Sequence, residues 1–281
     1  MSIFQYEKSF QSENGEDGII EFIFNKINIK IGNYLDIGEN NGIQNSNTFM
    51  LFRKGWKGIY IQSNLYIFKD LISNFKNFQN KITLIKADIN VLDVNLLDNI
   101  LDNNKILTKK FDFITLYFKG FEYNLFKSLQ KYTTKVFCIK IKYDLNPLYE
   151  YEIKYDLNKN GNGNGNGESI FIWEKIAKEN DYFILTYTGY LFLIKNLYKP
   201  LFEEYIKDIN KIYDEYLESL DFQTLGIINK SILENVNIKH DMKNNYLLNF
   251  YKNKINNFNS LEIEKNVEKN VEKEIGKEKE I

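Results

Sequence analysis

Residues 34–37 read Tyr-Leu-Asp-Ile, a short strand-like run that ends directly in Gly38-Glu39-Asn40-Asn41-Gly42. A chain leaving a buried strand must turn sharply to enter the next helix, and glycine permits that turn without a Cβ clash. A helical run follows, with Phe49, Met50 and Phe52 expected to point inward, and then Gly-Trp-Lys-Gly-Ile-Tyr-Ile over 55–61. Strand, glycine turn, helix and strand in that order form a βαβ unit, which commits the chain to a parallel sheet. Gly38 and Gly42 also let a ligand approach the backbone where the helix starts, so the turn is shaped to receive a nucleotide.

The same alternation continues. Ile19, Ile20, Ile23, Phe24 and Ile27 recur at helical spacing over 15–27, behind Ser12 and Asn14 as caps. Further strands are expected over 58–61, 82–87, 111–116 and 136–141, with helices over 65–78, 92–101 and 121–129. A helix over 169–179 precedes two strands, 182–187 and 190–194, which Thr188-Gly189 joins as a closing antiparallel hairpin. The expectation is a doubly wound, Rossmann-like α/β sheet of about seven strands over 1–198. A helical extension follows over 199–260, with Leu201, Tyr205, Ile209, Ile212 and Leu217 on one stripe. The end, 261–281, is a Lys/Glu tail, either a solvated helix or disordered. Gly-Asn repeats over 161–167 read as a loop insertion, because no Gly-Lys-Ser/Thr follows to make a phosphate cradle.

Composition removes several function classes. The net charge of −1 gives no steering toward nucleic acid. A single cysteine, Cys138, excludes an intramolecular disulfide framework, and no Cys/His metal spacing occurs. No run of 18 or more apolar residues and no basic-then-apolar N-terminus is present, so neither a membrane span nor a signal peptide is expected. A soluble, cytoplasmic protein is the default.

The site is expected at the carboxyl edge of the sheet, where open α/β folds bind ligands. Asp36, at the end of the first strand, can orient the turn or a cofactor's amino group. The spacing Asp-x-Gly-x-Asn-x-Gly, with Asn40 inside it, suits a sulfonium nucleoside, which carries no phosphate, better than a pyrophosphate. The absence of Gly-x-Gly-x-x-Gly argues against a dinucleotide oxidoreductase. Asp88, just past the third strand, either contacts adenine or caps the next segment. Glu16 and Asp17 complement a helix dipole, Trp56 packs a helix on the sheet, and His240 reads as a surface residue.

Asp36-Ile-Gly-Glu-Asn-Asn-Gly42 resembles the first motif of the FkbM-type methyltransferases, which use S-adenosylmethionine. The likeness extends to Ser12-Glu-Asn-Gly-Glu-Asp-Gly18, Ser46-Asn47-Thr48, Gly55-Trp56-Lys57-Gly58, Gly120-Phe121-Glu122 and Gly167-Glu-Ser-Ile170, in order, over roughly residues 10–198. The resemblance implies a sugar or glycan hydroxyl as acceptor. It places the methionine end on Gly38, Asn40 and Gly42, with Asp36 beside them, the ribose on Gln62 and the adenine on Asp88.

The chain departs from that pattern where acids are expected. Gln62 stands where a carboxylate usually receives both ribose hydroxyls. Leu116-Tyr117-Phe118-Lys119-Gly120 replaces an Asp-containing run after the fourth strand, and Lys140 or Lys142 replaces a Glu after the fifth. A general base must accept a proton near neutral pH; Lys119 does so only if burial lowers its pKa strongly. Lys119 and Glu122 are the candidate catalytic residues, while Glu39, Asp112 and Asp144 are the other acids remaining. Two readings follow. One is an S-adenosylmethionine-dependent O-methyltransferase. The other is a pseudo-methyltransferase that serves as a binding or assembly module, meeting a protein partner through its helical extension.

Overall fold

The computed structural model describes residues 1–89, 93–118, 120–141 and 169–220. Lys119, Lys142, Asp144, His240, the repeat over 161–167, the extension beyond 220 and the charged tail lie outside the described residues.

Five parallel strands come first: β1 (Asn33–Ile37), β2 (Lys57–Gln62), β3 (Ile82–Lys86), β4 (Lys110–Leu116) and β5 (Thr133–Lys140). A hairpin, β6 (Tyr182–Tyr187) and β7 (Tyr190–Lys195), closes the sheet in the order β3-β2-β1-β4-β5-β7-β6. β7 runs antiparallel to both β5 and β6. This is the sheet of the Rossmann-like class I methyltransferase fold, as the sequence leads one to expect. The inner strands are buried on both faces, which explains their unbroken apolar runs, Phe113–Ile114 in β4 and Val136–Ile139 in β5. Tyr34 pairs in register with Gly58 on one side and Phe113 on the other, which fixes the end of β1 at the centre of the carboxyl edge.

The helices are α1 (Glu16–Lys26), α2 (Phe49–Arg53), α3 (Leu65–Phe75), α4 (Leu96–Asn103), α5 (Glu122–Lys127), α6 (Ile170–Glu179) and α7 (Ile209–Ser219). Trp56 is buried against Phe24 of α1, ring centroids 4.7 Å apart, and its indole N–H donates to the Lys30 carbonyl at 3.0 Å. Among the described residues no helix is long and apolar enough to cross a membrane.

Three local expectations change. The helix after Gly42 does not begin there: residues 38–48 form an irregular turn, and α2 holds only five residues. Polar side chains outcompete the helix, since Asn41 Oδ1 accepts from the amides of Ile43 (3.1 Å) and Gln44 (3.0 Å), and Ser46 Oγ accepts from Phe49 (3.2 Å). Within α2 Phe52 is buried, whereas Phe49 and Met50 are only half-buried. The cap of α1 is Gly15, at φ +87°, with Ser12 Oγ accepting from the Asp17 amide at 3.0 Å. After β7, residues Asn196–Tyr205 form a 3-10 helix, and Asp208 starts α7 by accepting from the Lys211 amide at 3.1 Å. The tighter period buries Phe202 and leaves Leu201 exposed, unlike the single α-helical stripe.

Candidate functional site

β1 ends at the buried Asp36, whose Oδ2 accepts from Thr48 Oγ1 at 2.6 Å. Thr48 Oγ1 lies 3.0 Å from Tyr60 Oη, which lies 3.0 Å from Tyr34 Oη, so a polar chain runs from the turn into the core. Three residues on, buried Glu39 accepts three hydrogen bonds: Asn47 N at 3.0 Å, Asn47 Nδ2 at 2.8 Å and Thr115 Oγ1 of β4 at 2.9 Å. The two acids face each other. Burial raises both above the carboxylate range, Glu39 to about 7, and the Glu39 charge pushes Asp36 further up. Among the described residues no lysine or arginine pairs with either.

The glycine positions are met by the protein itself. At Gly38, φ +81°, an added Cβ would stand 2.0 Å from the Tyr117 carbonyl oxygen. The Gly38 amide donates to the Ile61 carbonyl at 3.1 Å, so the turn is pressed between β2 and the end of β4. At Gly42, φ +75°, the same position lies 2.5 Å from Phe75 and 2.9 Å from Leu71, both on α3. Asn40 is exposed at the tip of the turn.

Gln62, at the end of β2, is 4% exposed and bonded at both ends of its amide. Nε2 donates to the Glu39 carbonyl at 2.8 Å, and Oε1 accepts from the Asn64 amide at 3.0 Å. Asp88 goes elsewhere: its side chain is fully exposed and pairs with Lys86 at 3.2 Å. Glu122 is buried at the start of α5, where Oε1 accepts from the amides of Phe118 (2.7 Å) and Gly120 (3.2 Å) and so ties the loop after β4. Asp112 lies at the opposite edge, bonded to the Asn33 amide at 2.8 Å and to Lys135. The structure thus brings Asp36, Gly38, Gly42 and Gln62 together around one turn, sets Glu122 in the neighbouring loop, and leaves Asp88 apart.

The segment before α1 closes over the same edge. Asp17 Oδ2 gathers the amides of Phe10 (2.9 Å), Gln11 (2.7 Å) and Ser12 (2.9 Å), and Ser46 N donates to the Gln11 carbonyl at 3.0 Å. Glu16 accepts from Thr188 Oγ1 at 3.0 Å in the hairpin turn, and Lys140 binds Glu13 at 2.6 Å. The helix dipole alone accounts for neither the Glu16 bond to the hairpin nor the three amides gathered by Asp17. Sequence reasoning missed Asn47, Thr48, Thr115 and Tyr60 as members of the turn's network. The polar run Ser46-Asn47-Thr48, at the end of the turn, was the available signal. Among the described residues no group of His, Cys, Asp and Glu could hold a metal.

No family profile and no curated protein matches the sequence. Solved structures do resemble it. One, a candidate caffeoyl-CoA O-methyltransferase from Staphylococcus aureus, is 15% identical over 64% of this chain and 82% of its own, with a TM-score of 0.42. A candidate RNA methyltransferase from Pyrococcus horikoshii is 12% identical over 68% of this chain and 92% of its own, TM-score 0.38. The fibrillarin pre-rRNA processing protein of Methanococcus jannaschii is 14% identical over 59% of this chain and 66% of its own, TM-score 0.37. Likenesses this distant leave the substrate and chemistry of this chain open.

Proposed function

We propose that this chain is a methyltransferase-fold protein, nearest in motif order to the FkbM type, whose carboxyl edge now holds the fold together. On this reading it works as a binding or assembly module and does not transfer methyl groups. Gln62 carries the proposal. A ribose needs an acceptor for two hydroxyls, and a carboxylate there contributes about 1.5–3 kcal/mol per bond against roughly 0.5–1.5 for a neutral group. Gln62 is neutral, buried, and already bonded to Glu39 and Asn64. Asp88 agrees, since its side chain points to solvent and pairs with Lys86. The residues present do not fit S-adenosylmethionine, so no chemical step is drawn through it. A protein partner would meet the helical segment after residue 198 and its approach, where Leu197 and Leu201 stand 67% and 45% exposed.

Calorimetric titration of the full chain with S-adenosylmethionine and S-adenosylhomocysteine tests this. Silence at millimolar ligand, from a protein with a cooperative melt, is the expected result. Micromolar affinity overturns it.

One observation favours the second reading, S-adenosylmethionine-dependent methylation of a sugar or glycan hydroxyl. Gly38 and Gly42 keep the left-handed backbone of a nucleotide turn, and the Gln62 amide retains one N–H and one lone pair beyond its two bonds. Gly38→Arg distinguishes the two only where it removes a measurable activity without lowering the melting temperature, since any Cβ there meets the Tyr117 carbonyl.

A further inference from the structure

We propose that the Asp36–Glu39 carboxyl pair is a proton-controlled latch on the turn 38–48, holding it to the sheet by keeping protons that the opened turn releases. The geometry is specific. Asn47 is tied to Glu39 by two hydrogen bonds, Thr48 to Asp36 by one, and Thr115 anchors Glu39 to β4. The far end of the turn is therefore fastened to the strands through these two side chains. What the latch controls is also visible. The Glu39 carbonyl receives the Gln62 amide, and Ser46 N holds the Gln11 carbonyl, so an opened turn releases both the end of β2 and the segment before α1.

Among the described residues none supplies a compensating charge at the pair. Tyr34 on β1 and Tyr60 on β2 are held un-ionised by burial, as are Cys138 on β5 and Tyr190 on β7. Glu16 on α1 adds a further acid on that side, itself raised by burial. Among the described residues Lys140 is the cation on that side, and its Nζ is engaged by Glu13 and lies over the Tyr190 ring at 4.4 Å. Two adjacent anions are therefore costly when the turn is closed, and harmless once water reaches them.

The assignment of protons follows from the donors. Glu39, with three donors, is the better site for the negative charge, and Asp36 keeps a proton that it can donate to Glu39. The sign is fixed by linkage. Both carboxyls are raised in the closed turn, so closing takes up protons, its stability is fullest below the ordinary carboxylate range, and it declines as pH rises through the raised values. Each retained proton makes opening about ten-fold more frequent per pH unit.

Hydrogen exchange of the full-length chain, corrected for the intrinsic pH dependence of the chemistry, reads this directly. Between about pH 5 and 7, above the ordinary carboxylate range and below the raised Glu39 value, amides of 38–48 should lose protection by about ten-fold or more per unit, while those of β6 and β7 hold steady. Asp36→Asn places a neutral donor where the protonated acid stood, so the pH step should shrink to the part that buried Glu39 alone contributes. Glu39→Gln, read the same way, replaces it should Asp36→Asn lose its cooperative melt. Protection of 38–48 that ignores pH in the native chain, or an undiminished pH step in the variant, overturns the latch. The readout needs no ligand, so it stands or falls apart from the proposed function.

Discussion

Restoring a carboxylate with Gln62→Glu separates a structural edge from a ligand-facing one. In the structure described here the substitution removes the donor to the Glu39 carbonyl and sets an acceptor against an acceptor at 2.8 Å. An unpaired buried carbonyl costs about 1–3 kcal/mol, and an ionised carboxylate buried beside Asp36 and Glu39 adds to that. The sum is about 2–4 kcal/mol of lost stability at pH 8. Protonation restores an O–H that can donate to the same carbonyl. The introduced carboxyl therefore has a raised folded pKa, and the loss should shrink as pH falls toward 5. Urea midpoints at about pH 5 and pH 8 measure the difference. In an open nucleoside cleft the same carboxylate would be hydrated until ligand arrived. Stability would then be unchanged, and affinity for S-adenosylmethionine would rise by about ten-fold, roughly 1.4 kcal/mol. A variant as stable as the parent at pH 8, with tighter cofactor binding, refutes the structural reading of Gln62.

Three further outcomes test the packing on which the site stands. Gly58→Ala would favour a strand by its backbone, but its Cβ would meet the Tyr34 ring at 2.1 Å, and that ring is pinned through Tyr60 at 3.0 Å; a net loss of about 1–3 kcal/mol in thermal melts is expected, and a stabilised variant contradicts it. Asp17→Ala strips the amides of Phe10, Gln11 and Ser12 of their acceptor. It should cost about 2–4 kcal/mol and speed proteolysis within 8–14; unchanged cleavage there would show that Asp17 does not organise the segment. In the 3-10 segment, Phe202→Ala should cost about 3–5 kcal/mol and Leu201→Ala under about 0.5, so equal effects would mean a different register.

The sheet was legible because pattern carries it: apolar runs mark β4 and β5, the glycine turn marks the end of β1, and Thr188-Gly189 marks the hairpin between β6 and β7. The turn 38–48 was less so. Its glycines state that something comes close to the backbone, and sequence does not say what. At Gly38 it is the carbonyl of Tyr117, and at Gly42 the ring of Phe75, both distant in the chain. The helix expected after Gly42 failed for a local reason, because Asn41 and Ser46 offer the backbone nearer partners than the next helical turn does. Glu16 and Asp17 look sufficient as dipole partners in sequence. Only the fold shows that one reaches the hairpin and the other gathers three amides.

The distribution of acids along the carboxyl edge then has a physical explanation. Those the chain keeps have donors within the protein: Asp36 has Thr48, Glu39 has Asn47 and Thr115, Glu122 has Phe118 and Gly120. An acid so placed is held by folding whether or not a ligand comes. At two of the described positions where the resemblance calls for an acid and finds none, the substitutes also have partners in the protein, Gln62 bonding inward to Glu39 and Asn64 and Lys140 pairing at the surface with Glu13. Asp88, which among the described residues reaches solvent and Lys86, is the exception, and it is the residue whose loss should leave stability unmoved. A site maintained for a nucleoside would distribute its acids the other way, with the unsatisfied ones facing the ligand. Replacing Asp88 with Ala therefore completes the test that Gln62→Glu begins. If adenine is held there, the variant loses cofactor affinity at constant melting temperature; if the edge serves the fold alone, neither quantity changes.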